Sequence, residues 1–186
     1  MNREALLTLL QAHQPWDDTE THHHTATLAY LDRRAQFWQR STVEGHITAS
    51  AWVVDRELQH ALLVHHRKLD RWFQPGGHID DDTDIAAAAQ REAHEECGVQ
   101  TTLADDGAIF DVDVHPIPGN SKELGHLHYD VRLLLIADRA APLVVSAESK
   151  DVRWMPIAEL LSPDTDASIR RMALKTEARR NASVVV

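Results

Sequence analysis

The chain has 186 residues, 43% of them hydrophobic and 26% charged, a length that suits one domain and an apolar share that excludes intrinsic disorder. Its 19 Lys and Arg stand against 29 Asp and Glu, a formal net charge of −10, so the average surface repels nucleic acid phosphates and anionic lipid, and neither nucleic acid nor membrane is expected as a partner. One cysteine, Cys97, excludes an intramolecular disulfide, and with no secretory leader or run of ~18 apolar residues a cytoplasmic location is expected.

Leu6, Leu9 and Leu10 share one helical face, and Leu28, Leu31, Ala35 and Trp38 recur at helical spacing behind the polar stretch Asp17 to Thr21, which predicts two helices, the second capped by that stretch. The triplet His22-His23-His24 reads as the solvated start of the second helix. From Ile47 the texture changes: ITASAWVV and ALLVHH are β-rich runs joined by Asp55 to Gln59, a hairpin pattern. Pro75-Gly76-Gly77 is a turn, and IAAAAQREAHEEC behind it is the strongest helical stretch, ending at Gly98 as a C-terminal cap. Further strand-like runs cover Ala108 to Val114, His126 to Ala137 and Asp151 to Trp154, and Pro156 to Leu161 and Ser168 to Arg180 look helical. The face of Leu6, Leu9 and Leu10 and the tail Val184-Val185-Val186 suit either a homodimer or the chain's own core.

The chemistry concentrates on the helix after the glycines. Glu92, Glu95 and Glu96 stand at i, i+3 and i+4, so three carboxylates leave one helical face. Like charges at that spacing repel, and hard divalent ions favour such oxygen ligands, which makes Mg²⁺ or Mn²⁺ the natural partner; a solvated acidic surface is the alternative.

Written out, GGHIDDDTDIAAAAQREAHEECGV resembles the Nudix box, a Gly followed by a Glu and then by Arg-Glu-U-x-Glu-Glu-x-Gly-U with U a bulky aliphatic. The match falls on Gly77, Arg91, Glu92, Glu95, Glu96, Gly98 and Val99, while Thr83 stands where the first Glu is expected and Ala93 replaces the first aliphatic. Asp82 or Asp84 offers a nearby carboxylate instead. The flanks HITASAWVVD, LLVHHRKLDRWFQPGG and ESKDVRWMPIAEL look like the strands and trailing helix around such a box. The resemblance implies an α/β fold, an α/β/α sandwich with a mixed sheet over residues 45–161, with a helical extension over residues 1–44 and a C-terminal helix and tail over residues 162–186.

It further implies hydrolysis, with Mg²⁺ or Mn²⁺, of a phosphoanhydride in a small nucleoside diphosphate derivative. Carried over by position, Glu92, Glu95 and Glu96 become metal ligands, with Glu92 or Glu96 also the base for water. Arg91 becomes the residue that fixes a carboxylate rotamer, and Gly98 a cap without chemistry. The carbonyl of Gly76 is a further candidate metal ligand, as is Glu148 ahead of the strand at Asp151. A ligand-binding or sensor module on the same fold is the rival, and a diphosphate isomerase is disfavoured because the one cysteine lies at the end of the box helix.

Gly77 and His78 are placed to meet substrate. In HLHYD, His126, His128 and Asp130 alternate and so share one side of a strand. With His115 they suit substrate binding, a lid, a second metal site, or a hydrogen-bonded pair inside a sheet. Trp52, Trp72 and Phe73 are candidates for stacking a base, packing being the alternative. Cys97 reads as a small buried hydrophobe.

Overall fold

The β-rich run that opens at Gly45 forms β1 (Gly45–Val54), the spine of the fold in a computed structural model that describes residues 2–82, 84–119 and 124–184. All of β1 is buried, so it lacks the apolar and polar alternation of a half-exposed strand. It runs parallel to β7 (His126–Ala137) and antiparallel to β2 (His60–His66) and to the short β4 (Gly76–His78). Beyond them, β3 (Arg71–Phe73) and β8 (Ser149–Pro156) pair with β2, and β5 (Thr101–Leu103) and β6 (Ile109–Ile117) pair with β7. The result is a mixed eight-stranded sheet, and the hairpin expected across residues 55–59 joins β1 to β2 with Val54 opposite Ala61.

Helices cover both sides of the sheet, as the resemblance implies. Ile47, Ala49, Ala51 and Val53 of β1 meet α1 (Arg3–Ala12), α2 (Asp18–Arg33) and α3 (Ile85–Cys97) in one core. Trp52 and Val54 point the other way, into a second core with α4 (Ile157–Leu160) and α5 (Ala167–Val184). Leu6 and Leu10 are fully buried in the first core, and Leu9 is half-buried against it. Val185 and Val186, and the side chain of Val184, lie outside the described residues. Among the described residues, no helix is long and apolar enough to cross a membrane.

Two expectations for the amino-terminal region need correction. Asp17 caps α2 by accepting the Glu20 N–H at 2.7 Å, but α2 stops at Arg33 and does not reach Trp38. The Arg3 guanidinium donates to the carbonyls of Leu31 and Arg34, and Ile47 N–H donates to Phe37 O at 2.7 Å. Those bonds satisfy the helix end and turn the chain into β1, which overrides the helical spacing of Ala35 and Trp38. The second correction concerns the triplet: His24 Nε2 lies 2.7 Å from Leu10 O, and His23 Nδ1 lies 3.0 Å from Asp113. Two of the three rings thus tie elements together rather than face solvent.

The α5 side of the sheet carries buried charge that hydropathy did not foretell. Asp111 on β6 is fully buried and accepts bonds from Arg171 (2.8 Å), Lys175 (2.9 Å) and Arg132 (3.2 Å). Lys175 also donates to Glu20 at 2.6 Å, and Asp130 accepts from Thr48, Ser50 and Arg132. This network joins α2, β1, β6, β7 and α5.

Candidate active site

Helix α3 follows from its sequence: Ile85, Ala88, Ala89, Ala93 and Cys97 make its buried stripe. The Asp84 side chain caps it by accepting Ala87 N–H at 2.8 Å, and Gly98 closes it in the left-handed conformation at φ 75°. Ala93, where the Nudix pattern has a bulky aliphatic, is fully buried, so its small side chain suits a close approach of α3 to the sheet. Cys97 is buried too, and burial together with the Glu96 charge pushes its thiol up to about 12. That makes it a core residue and not a nucleophile.

The packed stripe rotates Arg91, Glu92, Glu95 and Glu96 toward β4 and the turn before it. Gly76 N–H donates to Glu96 Oε2 at 3.1 Å. A Cβ at Gly77 would lie 2.8 Å from Glu92 Oε1, and one at Gly76 would lie 2.1 Å from Ser50 Oγ. Only glycine lets the turn pass between the glutamate carboxylates and β1.

Arg91 is the hub of the acids. Its Nη1 donates to Glu92 Oε1 and Glu95 Oε2, both at 2.9 Å, its Nε to Asp82 Oδ2 at 2.9 Å, and its Nη2 to His78 O at 2.8 Å. Both carboxylates considered as substitutes for the first Glu therefore have other work, Asp82 on Arg91 and Asp84 as the helix cap; Thr83 lies outside the described residues.

One guanidinium does not balance this group. Burial raises Glu92 above the usual carboxylate range, with the neighbouring acids adding to it and Arg91 opposing. Glu96 is pushed up to about 7, first by burial and then by the charges of Glu92, Glu148 and Glu95 against its bond from Gly76. Glu148, exposed just ahead of β8, thus bears electrostatically on Glu96, and Glu95 is exposed on the outer side of Arg91. Half-buried Glu92 and Glu96, with exposed Glu95 and Glu148 adding to the surplus negative charge, form a set of hard oxygen donors that fits Mg²⁺ or Mn²⁺.

The histidines assemble on the other face of β1, the side of Thr48, Ser50 and Trp52. The β1–β7 pairing sets His46 opposite His128, the β6–β7 pairing sets His115 opposite His128, and His78 on β4 pairs with Thr48. Ring centroids of His46 stand 4.8 Å from His78, 4.8 Å from His128 and 4.9 Å from His126. Burial is the main force that lowers His78 to about 4 and His128 to about 3, so both rings are uncharged at neutral pH. His46 was missed in the sequence, although GHITAS alternates His46, Thr48 and Ser50 onto one side of β1. The signal was hidden because β1 is buried on both faces.

The aromatic candidates separate. Trp52 is fully buried and donates from Nε1 to Thr176 Oγ1 at 2.9 Å, which removes it from base stacking. Trp72 is stacked on His65 at 4.9 Å with the Arg153 guanidinium 5.5 Å from its ring centroid. Phe73 is half-buried and packs against the main core. Of the polar loop GNSKELG, residues 119–125, considered with the histidines as a lid, residues 120–123 lie outside the described residues.

Comparison with known proteins adds to this geometry. The family model of the NUDIX domain matches residues 44–175, which extends past residue 161 into α5. The CMP-5'-(N-acetyl-N-hydroxy-3-aminopropyl)phosphonate hydrolase of Streptomyces rubellomurinus is 30% identical over 126 residues, 63% of this chain and 57% of the relative. The chain thus spans little more than half the length of that curated relative. Among solved structures, an Ap4A hydrolase of C. elegans in a binary complex superposes with TM-score 0.58 at 17% identity, covering 73% of this chain and 98% of the other. The MutT protein of Methanosarcina mazei superposes with TM-score 0.52 at 17% identity, covering 74% and 96%. These two likenesses concern the fold.

Proposed function

The chain belongs to the NUDIX domain family, and from that premise we propose that it is a divalent-metal-dependent hydrolase of phosphoanhydride bonds in nucleoside diphosphate derivatives. The observation that carries this reading is Glu92 and Glu95 bonded to one arginine, with Glu96 bonded to the Gly76–Gly77 turn beside them. The relative named for a CMP-linked phosphonate supports a small substrate in which a nucleoside carries linked phosphorus groups.

In this reading Glu92, Glu95 and Glu96 hold the metal, joined by the carbonyl of Gly76 and by Glu148. A divalent ion there supplies the positive charge that a diphosphate and an attacking oxygen both need. Glu96 or Glu92 accepts the proton of the attacking water, a role suited to a carboxylate whose burial makes it a stronger base. Gly77 admits substrate close to the backbone, and His78, whose carbonyl already holds Arg91, presents its ring at the same turn. His126 and His128 border this region across the sheet. Buried Cys97 argues against chemistry through a thiol.

Arg91 touches carboxylates and a carbonyl and is assigned to positioning them. Arg91→Ala is expected to lower kcat by ~10- to 100-fold with little change in KM, because it loosens metal-binding carboxylates and leaves substrate contacts in place. Steady-state kinetics would show it, and a change confined to KM would move Arg91 onto the substrate. The function itself is tested by a panel of sugar nucleotides, dinucleoside polyphosphates and CMP-linked phosphonates, assayed for released nucleoside monophosphate with Mg²⁺ and after its removal. Release that stops without metal is expected. Binding without turnover across the panel would favour the sensor module instead.

A further inference from the structure

The histidine row is more than packing. Nitrogens of His46, His78 and His128, one from each ring, lie within 4.8 Å of one another. They come from three adjacent strands, β1, β4 and β7, so the sheet holds them together irrespective of any loop. A fourth ring, His126, stands with its Nε2 3.2 Å from His128 Nε2. Two nitrogens on one tetrahedral ion with ~2.0–2.1 Å bonds are ~3.3 Å apart, so this spacing already suits two ligands of one ion. His126 Nδ1 lies 3.0 Å from Leu124 O, which turns its other nitrogen toward the cluster, the arrangement by which a backbone carbonyl orients a metal-ligating imidazole.

Two further observations point to a ligand. His78 Nε2 is buried with no hydrogen-bond partner among the described residues, a costly state for a polar atom unless something supplies a partner. The gathered donors are all imidazoles, while the carboxylates nearby are engaged elsewhere: Asp130 by Thr48, Ser50 and Arg132, and Asp113 by Arg132, Arg171 and His115. Those acids lie close enough to offset the charge of a cation without competing for it.

We propose that His46, His78 and His128 form a second metal site, for a borderline-soft divalent ion of the Zn²⁺ class, separate from the oxygen-ligand site on α3. All-nitrogen donor sets select Zn²⁺, Co²⁺ or Ni²⁺ over Mg²⁺. Three protein ligands leave one coordination position, which His126, water or a phosphate oxygen can fill. The ion would fasten β4, and hence the Gly76–Gly77 turn, to the two longest strands of the sheet.

The proposal does not depend on hydrolysis, and its test reads metal directly. The full chain, stripped with EDTA and supplied with excess Mg²⁺ to fill the glutamate site, is titrated with Co²⁺ and followed by visible d–d absorption and metal content. One Co²⁺ per chain with the absorption of a nitrogen-ligated, four- or five-coordinate ion is expected, unchanged in Glu96→Gln. His128→Gln and His78→Gln should each weaken Co²⁺ binding by at least the ~10- to 100-fold that loss of an outer-shell partner costs. Thermal unfolding of the metal-free variants confirms that each is folded, and the two substitutions on different strands guard against failure of one. No absorption under excess Mg²⁺, a band that survives both histidine substitutions, or a band lost in Glu96→Gln would each overturn the site.

Discussion

Glu96→Gln is expected to reduce turnover by at least ~100-fold in Mg²⁺ while the chain stays folded, the size of loss seen when one group that stabilises transition-state charge is removed. The amide preserves the side chain's shape and the bond from Gly76 N–H, so α3 keeps its place against the turn. It removes a negative charge that burial and the acids Glu92, Glu148 and Glu95 all disfavour. Without metal, therefore, the substitution should stabilise the fold, by on the order of 1 kcal/mol at pH 8, since a tenfold change in a protonation equilibrium corresponds to ~1.4 kcal/mol. With Mg²⁺ the advantage should disappear, because the parent chain gains binding energy that the variant has lost. Activity assays paired with denaturant unfolding, with and without Mg²⁺, give both readings on one sample. A variant that keeps its turnover would remove Glu96 from the chemistry. A metal-free variant less stable than its parent would show that the carboxylate is held by partners rather than strained by neighbours.

This opposition between stability and activity explains why the glutamate helix was legible in the sequence. A row of acids that repels itself has no folding benefit, so its spacing with Arg91 and the two glycines stands out as a pattern serving a ligand. The alanine stripe, the Asp84 cap and Gly98 are local signals as well, and α3 follows them. The parts that escaped are all non-local. His46 acquires meaning only when β1 lies parallel to β7 and meets His128, a pairing no short window contains. The end of α2 at Arg33 depends on Arg3, far upstream in the chain. Asp111, Arg132 and Arg171 carry no local mark of burial, because alternation along β6 and β7 is equally compatible with a solvated face, whereas α5 covers Asp111 and Arg132.

Asp111→Ala is the second large effect, and it falls on stability. Asp111 is fully buried and takes bonds from Arg171 at Nε and Nη2, from Lys175 and from Arg132. Its removal takes from Arg171, Lys175 and Arg132 an acceptor that all three share in a space that excludes water, leaving Asp113, Glu20 and Asp130 as their remaining acids. Breaking a buried pair on one side costs about 3–5 kcal/mol, far more than the pair contributes relative to an apolar substitute. Equilibrium denaturation should show that loss, and Arg171→Met added to Asp111→Ala should cost less than the sum of the two single effects, because the two side chains share a bonded pair that either substitution alone already breaks. The same network fixes the response to acid. At Glu20 burial alone would raise the pKa, but the bonds from His13 and Lys175 more than reverse this, lowering it from 4.5 to about 2. A depressed carboxylate stabilises the fold above its unfolded value, so the contribution of Glu20 is complete above pH 4.5 and fades as pH falls toward about 2. The buried histidines act earlier with the same sign. His78 and His128 are held at about 4 and about 3 against an ordinary 6.5, so the unfolded chain takes up their protons first and stability begins to fall below pH 6.5. The metal-free chain should therefore lose stability in two overlapping stages, from pH 6.5 downward and again below pH 4.5, and His128→Gln should flatten the first without touching the second. An Asp111→Ala chain within ~1 kcal/mol of its parent would mean that water reaches the network, as for an exposed ion pair, and that α5 does not seal this face of the sheet.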